Sequence, residues 1–407
     1  MRKRKVAIVT FAFSSDAPGG VSTVVIQIVR ILASKCQFET TIFSVANTKD
    51  ARRIFGRSRN RDLHEDHKSA FGDTKLFQKS MFENCRVYEI KPYASEFEFM
   101  RYRKQRQLTG LFESYDLVIV VTGFLQFANV IPKLKTQVLV QCATRLKWER
   151  KSQYPSMSFL KKALLIAQIP ILAFQEWRVL KTNVVFLPEN TKMLDWLTPR
   201  SKSIPEKWYP PVAPSSPELL DDVSRSKHFV SVGRFGDRRK GWERLFDSYV
   251  KAFKLDPDLP RLVAIGWGDF PSPLKEKIDI LKIEFPIEVL SNLPNEVRDQ
   301  YLSSASFFIQ ASFEEGLGLA ALEALRFGTP IICSETDGSR EYVLEGISGF
   351  LVPQGKEFEK LFSEKLVQSQ QYSLTELRES SKAFFDNTFS EQNSTKRFLE
   401  VVSRITR

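Results

Sequence analysis

The sequence predicts an α/β protein made of two doubly wound domains, each a parallel sheet covered by helices. Three observations support this prediction. The chain has 407 residues, which is too long for one ordinary hydrophobic core. Short, continuously apolar runs alternate with segments of helical periodicity, which is typical of parallel sheets buried on both faces. A proline-rich segment over residues 199–217 interrupts the alternation, and the pattern then starts again.

The strand candidates fall into two sets of six. Those in the first half cover residues 6–13, 40–45, 87–90, 117–121, 138–141 and 184–187, and those in the second half cover 229–232, 262–265, 287–290, 307–310, 330–333 and 350–352. Apolar residues repeat at helical spacing after the first strand, and helices are predicted at 242–255, 295–303 and 319–326. Ligands of such open sheets bind at the carboxyl ends of the strands, so we expect a cleft between the two domains.

The predicted domain boundaries follow from these patterns. They are an N-terminal domain over residues 1–205, a proline-rich linker over 206–226, a C-terminal domain over 227–385 and a final helix within 386–407. Residues 48–84 are polar and lack periodicity, and we interpret them as an irregular insertion or lid. His64 and His67 lie there, and without further ligand residues nearby a solvated loop is favoured over a metal site.

Charge and cysteine content indicate which binding partners and which cellular compartment to expect. A net charge of +12 favours anionic partners, which include nucleic acid, acidic lipid and nucleotide phosphates. No recognition helix, zinc-ligand spacing or aromatic-basic strand motif is evident, so we expect no nucleic-acid partner. Four scattered cysteines are typical of reduced, mostly buried thiols, and no apolar run reaches the ~20 residues of a membrane span. We therefore expect a cytoplasmic protein.

The strongest chemical signal lies between Ser312 and Phe350. Gly316 and Gly318 open a predicted helix at a strand end, where free backbone N–H groups and the helix dipole favour an anion. Glu315 and Glu323 are eight positions apart and could both meet one polyhydroxylated ligand, because carboxylates accept hydrogen bonds from sugar hydroxyls. The alternative is an ordinary helix start with acidic residues near it.

Two further turns follow predicted strands. Gly233, Arg234 and Lys240 belong to a glycine-containing basic turn that suits a diphosphate, although a basic turn is usually only exposed. Gly19 and Gly20 open the first helix and could present backbone donors to an anion, or could form a simple tight turn.

Taken in order, these motifs resemble glycosyltransferase family 4, a retaining group with the GT-B fold of two Rossmann-like domains. The supporting motifs are Gly19-Gly20, Gly233-Arg234, Lys240-Gly241, Gly266-Trp267-Gly268, Ser312, Glu315-Gly316-Leu317-Gly318, Glu323-Ala324, Gly328-Thr329-Pro330, Gly338, Glu341 and Gly349-Phe350-Leu351-Val352. The resemblance is dense over residues 229–352 and thinner before them.

The resemblance implies roles for individual residues. Arg234, Lys240 and Glu315 would be the catalytic residues, with the two cations holding the donor diphosphate and Glu315 contacting the donor sugar. Donor-binding residues would be Gly19, Gly20, Gly233, Gly316, Leu317, Gly318, Leu319 and Glu323, the last at the ribose hydroxyls. The first domain would face the acceptor and the second would bind the nucleotide sugar, with no metal ion and no cofactor. The final helix would cross back to the first domain.

One departure weakens the resemblance. Many relatives carry a histidine near the reacting sugar, whereas the comparable run here ends in Cys142-Ala143-Thr144-Arg145. A retaining mechanism in which the leaving phosphate accepts the proton of the acceptor does not require that histidine. The implied function is transfer of a sugar from a nucleotide-diphosphate sugar to a glycan or lipid-linked acceptor in surface polysaccharide or glycoconjugate synthesis. The alternative is a GT-B-like scaffold or binding protein that has lost turnover.

The sequence offers one candidate for membrane contact. Lys161-Lys162 precede an apolar run over residues 163–174, which is shorter than a bilayer span. It could lie in a membrane interface and reach a lipid-linked acceptor at the inner face of the membrane. A buried helix bent at Pro170 is the favoured interpretation at this point.

Overall fold

The computed structural model describes residues 3–15, 19–34, 38–45, 75–91, 98–149, 157–212 and 228–406. Within it the chain forms two compact units. One comprises Met1–Pro210 with Thr395–Arg407, and the other comprises Pro211–Ser394. Most of the irregular insertion predicted at 48–84, with His64 and His67, lies outside the described residues, as does Cys36.

The first unit is built on a seven-stranded sheet. Its strands are β1 (Arg4–Phe11), β2 (Phe38–Val45), β3 (Lys75–Phe82), β4 (Cys85–Lys91), β5 (Leu117–Phe124), β6 (Gln137–Thr144) and β7 (Val185–Pro188), in the order β3-β4-β2-β1-β5-β6-β7. All neighbouring pairs are parallel except β3 with β4. Ile8 lies opposite Ile42 and Ile119, and all three side chains are buried, as a sheet covered on both faces requires.

Helices and short turns surround this sheet. The helices are α1 (Gly20–Ala33), α2 (Glu98–Arg101), α3 (Thr109–Glu113), α4 (Leu146–Glu149), α5 (Phe159–Ala167), α6 (Ile169–Leu180) and α7 (Thr191–Leu197). The α1 helix buries Val25, Ile28 and Leu32, the apolar face that its sequence predicts.

The hairpin of β3 and β4 corrects one prediction. Residues 75–84 were assigned to an irregular insertion, but they form an antiparallel edge strand and its turn. The two turn residues, Glu83 and Asn84, both have positive φ, as a tight two-residue hairpin requires. The polar composition of an edge strand concealed its strand character.

The second unit has a six-stranded, fully parallel sheet. Its strands are β8 (His228–Arg234), β9 (Arg261–Trp267), β10 (Ile287–Ser291), β11 (Phe307–Gln310), β12 (Ile331–Ser334) and β13 (Gly349–Val352), in the order β10-β9-β8-β11-β12-β13. Its helices are α8 (Trp242–Leu255), α9 (Ser272–Glu284), α10 (Asn295–Ser304), α11 (Leu319–Arg326), α12 (Ser339–Tyr342), α13 (Phe358–Gln368) and α14 (Leu374–Thr388). The prediction of two doubly wound α/β domains is confirmed.

The final helix, α15 (Glu391–Ile405), ends the chain in the first unit. Phe398 is fully buried and its ring lies 5.0 Å from that of Trp208. Arg404 forms an ion pair with Glu206, and Arg4 donates a hydrogen bond to Thr406. These contacts hold the C-terminus to the strand and loop residues of the first unit.

The two helices α5 and α6 contradict the favoured prediction for residues 163–174. The chain breaks between them at Gln168, two residues before Pro170, but of the apolar side chains in this run only Leu172 is buried. Leu164, Ile166 and Phe174 are among the exposed large hydrophobic residues. An apolar pattern alone does not tell whether another part of the chain covers it.

Candidate functional site

The candidate site of the second unit lies where its strand order reverses. From β8 the chain adds strands first on one side, through β9 and β10, and then on the other, through β11 to β13. The loops after β8 and β11 therefore leave the carboxyl ends of neighbouring strands and meet at one edge of the sheet. Open α/β sheets bind ligands at such switch points.

The loop after β8 is organised around Asp237. Its carboxylate accepts hydrogen bonds from Arg234 at 2.9 Å and from the Arg239 side chain at 2.8 and 3.0 Å. Burial opposes ionisation of this carboxyl, but the hydrogen bonds and charges of Arg239 and Arg234 outweigh it and lower its pKa to about 2. Arg239 is thus tied to the loop rather than solvated, while the Arg234 side chain remains 47% exposed.

Lys240 and Glu315 form the central contact of the site. Lys240 Nζ lies 2.7 Å from Glu315 Oε1, and the Glu315 side chain is only 11% exposed. The same oxygen accepts hydrogen bonds from Gln310 Nε2 and Ser312 Oγ, each at 2.7 Å. Three donors on one oxygen hold the carboxylate in a fixed orientation.

Gly241 allows the two loops to approach each other. It adopts a left-handed conformation with φ of 62°, and a Cβ there would lie 2.0 Å from the Ala311 carbonyl oxygen. Only glycine fits a backbone position of this kind. A Cβ at Gly233 would instead make an ordinary contact with the Lys240 side chain at 3.4 Å, so the described fold does not require glycine there.

Arg244 fixes the loop that carries Ser312 and Glu315. Its Nε donates to the Ala311 carbonyl at 2.6 Å, and its guanidinium donates to Gln354, which in turn donates to the Ser312 carbonyl at 3.0 Å. The guanidinium also lies 3.7 Å from the Phe313 ring centroid. Burial lowers the pKa of Arg244 to about 9. Nothing in the local sequence pattern points to this residue.

The loop enters α11 through Gly318. This residue has a φ of 92°, and a Cβ there would lie 2.7 Å from the Tyr342 hydroxyl oxygen, so the fold itself requires glycine. Leu317 is buried, and its carbonyl packs against Gly338, where a Cβ would lie 2.7 Å from that oxygen. Gly316, Leu317, Gly318 and Leu319 therefore form a rigid entry to the helix, whose first N–H groups have no intrahelical acceptor.

Glu323 lies inside the second unit with a cation that the sequence analysis missed. Its carboxylate is 3.5 Å from Arg298, which also contacts Asp299 at 3.1 Å. Burial raises the pKa of Glu323, and the charges of Arg298 and Lys240 partly offset that effect. Lys240 is therefore close enough to act on both Glu315 and Glu323. Arg298 stands in α10, on a segment without any motif that could have indicated it.

Gly19 and Gly20 lie at the start of α1, after β1, where the strand order of the first unit reverses. Neither has positive φ, and a Cβ at either would meet no described atom within 4 Å. The described part of the fold therefore gives no steric reason for glycine here, in contrast to Gly318.

A polar cluster occupies the carboxyl ends of β6 and β7. Arg145 Nε lies 2.5 Å from Glu176 Oε1, and its guanidinium lies 3.8 Å from the Trp196 ring centroid. This is the region where the resemblance would place a histidine, and Arg145 is held there by an ion pair. Nearby, buried Glu189 accepts a hydrogen bond from Gln141, and burial raises its pKa to about 7.

The structure brings most of the predicted donor residues together within the second unit. Arg234 and Lys240 share one short turn, and Lys240 contacts Glu315 directly. Gly19 and Gly20 belong to the first unit. Among the described residues, no group of three or more His, Cys, Asp or Glu side chains could hold a metal ion.

Residues 220–379 match the sequence family described as glycosyl transferases group 1. The matched residues lie within the second unit, Pro211–Ser394. This matched segment contains the candidate residues of the second unit, from Gly233 to Glu323.

Similarity to individual curated proteins covers between 30% and 35% of this chain in the first four relatives. The amylovoran biosynthesis glycosyltransferase AmsK of Erwinia amylovora is 27% identical over 144 residues, which is 34% of this chain and 35% of that protein. The chain spans between 20% and 37% of the lengths of the first four curated relatives it matches.

Solved structures resemble the whole chain. Sucrose-phosphate synthase from Thermosynechococcus elongatus has a TM-score of 0.69 at 17% identity and covers 99% of both chains. The HepE protein of Anabaena, solved with UDP-glucose, has a TM-score of 0.62 at 14% identity, covering 98% of this chain and 99% of its own. The chain therefore has a two-domain GT-B fold.

Proposed function

We propose that the protein is a retaining glycosyltransferase of family 4, which transfers a sugar from a nucleotide-diphosphate sugar to a glycan or lipid-linked acceptor. The observation that carries this proposal is the contact between Lys240 and Glu315 at the switch point of the second unit. It places a cation and a carboxylate side by side, which suits a ligand that has both phosphates and sugar hydroxyls.

The diphosphate would bind to the two cations of the loop after β8. An ammonium group has three protons, so Lys240 can keep its bond to Glu315 and still donate to phosphate oxygens. Arg234 is exposed enough to reach the same phosphates. The first N–H groups of α11 would add neutral donors. As the sugar leaves, charge develops on the phosphate, and these groups would stabilise it.

The two carboxylates would recognise hydroxyl groups. Glu315 is held by Lys240, Gln310 and Ser312 through one oxygen, which leaves its second oxygen to accept from the donor sugar. Glu323 would accept from the ribose. UDP-glucose, the ligand in the HepE structure, has phosphates, sugar hydroxyls and ribose hydroxyls, which supports a nucleotide sugar as donor.

The chemical step that we propose needs no protein base. The bond between the sugar C1 and the phosphate oxygen breaks, and a bond from C1 to the acceptor oxygen forms on the same face. The proton of the acceptor hydroxyl passes to the departing phosphate, so the anomeric configuration is retained. Lys240 and Arg234 would supply the positive charge, so we propose that neither a metal ion nor a cofactor is required.

The setting of the reaction is also a proposal. The name of AmsK refers to amylovoran biosynthesis, which supports a role in polysaccharide or glycoconjugate synthesis. Cys85, Cys142 and Cys333 are buried and free, as is usual in a reducing compartment, and this supports a cytoplasmic location.

The first test is calorimetric titration of UDP, GDP and ADP, and of their nucleotide sugars, into the protein and into a Lys240→Ala, Glu323→Ala double variant. We expect one nucleotide to bind selectively and the variant to lose that binding. Absence of nucleotide binding by the folded protein would contradict the proposal.

Turnover and stereochemistry need a second measurement. Without a known acceptor, slow transfer of the donor sugar to water can be followed by NMR. An α-linked donor should release the α-anomer first, and initial release of the β-anomer would contradict retention. Nucleotide binding with neither hydrolysis nor transfer to any of a panel of acceptors would favour the alternative of a binding protein that has lost turnover.

A further inference from the structure

We propose that the protein binds the surface of an anionic lipid bilayer through the exposed face of α5 and α6. This α5–α6 face is defined by six large apolar side chains: Phe159, Leu164, Ile166, Ile171, Phe174 and Trp177. Their exposed fractions run from 42% to 88%. Monomeric soluble proteins rarely expose so many large apolar residues in one short segment, and such patches usually mark interaction surfaces.

The α5 helix is apolar without being a core helix. None of its residues whose side chains the structure describes is buried, although seven of its nine residues are apolar. A surface helix of a soluble protein normally turns a polar face to water. Leu164 and Ile166 instead lie exposed on α5, and Phe159 at its start is 88% exposed.

The α6 helix has two distinct faces. Leu172, Glu176 and Val179 follow helical spacing and are buried within the first unit, and Glu176 is paired with Arg145. Ile171, Phe174 and Trp177 lie on the other side and are exposed, and the rings of Phe174 and Trp177 are stacked with centroids 5.7 Å apart. The exposed face is therefore presented by a helix that the fold holds in place.

These faces favour binding at the interface over spanning the bilayer. Lys162–Leu180 is, among the described residues, the one stretch long and apolar enough to cross a membrane by length and composition. It is interrupted at Gln168, and one face of α6 is anchored by a buried ion pair. An amphipathic helix of this kind lies in the headgroup region with its apolar side inserted, and tryptophan is favoured there.

The charges around the α5–α6 face select an anionic surface. In the segment 157–181, the charged residues with described side chains are Lys162, Glu176, Arg178 and Lys181, and the acidic member is buried in its ion pair. Lys104 adds to this positive region: desolvation and the nearby charges of Arg178, Arg106 and Lys133 lower its pKa. Acidic headgroups attract such a basic rim.

The same charges disfavour a second copy of the chain as the occupant. An isologous dimer through the α5–α6 face would bring two basic rims against each other. A bilayer of acidic lipids would neutralise the rim while the rings insert between the headgroups. This inference does not depend on the proposed transfer reaction.

The test is co-sedimentation with vesicles. We expect binding to vesicles of phosphatidylcholine mixed with phosphatidylglycerol, and weaker binding to phosphatidylcholine alone or at raised salt. A Phe174→Ser, Trp177→Ser variant should lose at least about tenfold in partitioning, because two large apolar side chains no longer insert. The control is Ile204→Ser, Ile283→Ser, which removes two apolar side chains elsewhere that are even more exposed, at 84% and 85%.

Each outcome decides the inference. Retained vesicle binding by the Phe174→Ser, Trp177→Ser variant, equal loss in the control, or no binding by the folded wild type would overturn it. Sedimentation equilibrium tests whether a second copy of the chain covers the face instead. If the wild type is a dimer that does not bind vesicles, and the Phe174→Ser, Trp177→Ser variant is a monomer, the α5–α6 face mediates self-association. Brominated lipid provides a positional readout, since Trp177→Phe should bind normally yet lose most of the quenching.

Discussion

Lys240 Nζ lies 2.7 Å from Glu315 Oε1, although the two residues are 75 positions apart in the chain. The pair joins the loop after β8 to the loop after β11, and a second bond between these loops runs from the Phe313 N–H to the Arg239 carbonyl at 2.7 Å. The cation that we assign to the donor phosphate is therefore positioned by the carboxylate that we assign to the donor sugar.

The first prediction concerns this pair. Lys240→Ala should weaken binding of the nucleotide diphosphate and reduce turnover by roughly 10²–10³-fold, the usual effect of removing one preorganised electrostatic contact. The measurements are calorimetric affinity and the rate of donor consumption. Arg238→Ala is the matched control, since it removes an exposed cation of the same turn. Equal losses in both variants would show that only the overall charge of the turn matters.

The second prediction concerns Arg298 and Glu323. Arg298→Met should destabilise the protein by about 3 kcal/mol, because it leaves a buried carboxylate without its nearest cation. Burial already raises the pKa of Glu323, and loss of the Arg298 charge should raise it further in the variant. The stability difference between variant and wild type should therefore grow as pH rises above the wild-type pKa of Glu323, and level off above the variant's pKa. Denaturant unfolding at several pH values measures the effect.

A double variant provides the control for that experiment. Arg298→Met with Glu323→Gln removes both charges, and we expect it to recover part of the lost stability and to lose the extra pH dependence. If the double variant is as unstable as Arg298→Met and shows the same pH dependence, the ion pair is not the cause. Asp299 also contacts Arg298 and is the reason that recovery should be partial.

The third prediction separates two kinds of glycine. Gly20→Ala should leave stability unchanged or raise it by up to about 1 kcal/mol, because Ala favours a helix and a Cβ there meets no described atom. It should nevertheless weaken donor binding if a ligand approaches this backbone. Gly318→Ala should instead destabilise the fold through its positive φ and the contact with Tyr342. Thermal unfolding and calorimetry distinguish these effects, and unchanged donor affinity in Gly20→Ala would contradict the role assigned to the first helix.

The fourth prediction is a pH effect on stability in the first unit. Burial raises the pKa of Glu189 to about 7, above its ordinary value of 4.5. The folded protein then holds a proton that the unfolded chain has released, so this group lowers stability progressively as pH rises from about 4.5 to about 7. Glu189→Gln keeps an acceptor for Gln141 and removes the ionisation, so it should be more stabilising at pH 8 than at pH 5.

Urea unfolding of both proteins at the two pH values measures this difference. A shift of this size corresponds to roughly 3 kcal/mol at most between the two limits. A difference between variant and wild type that does not change with pH would show that Glu189 titrates normally. Glu113→Gln is a suitable control, because Glu113 is exposed and should give no comparable pH dependence.

The sequence by itself determined the fold and the chemical character of the candidate site. Continuous apolar runs separated by helical periodicity are typical of parallel sheets covered on both faces, and the proline-rich segment between two such sets predicted two domains. The loops after β8 and β11 could be identified because glycine, cations and carboxylates follow strand ends directly. The edge strand β3 was missed because an edge strand needs only half the apolar pattern.

Only the tertiary structure decided which side chains meet. The spacing of residues along the chain does not show which distant residue a side chain will contact. Three contacts could therefore not be predicted from the sequence: Arg298 with Glu323, Arg244 with Ala311 and Arg145 with Glu176. The same reason explains α5 and α6, since an apolar pattern is identical in a buried helix and an exposed one. What covers a helix depends on how the rest of the chain packs, and here the folded unit leaves Phe174 and Trp177 exposed.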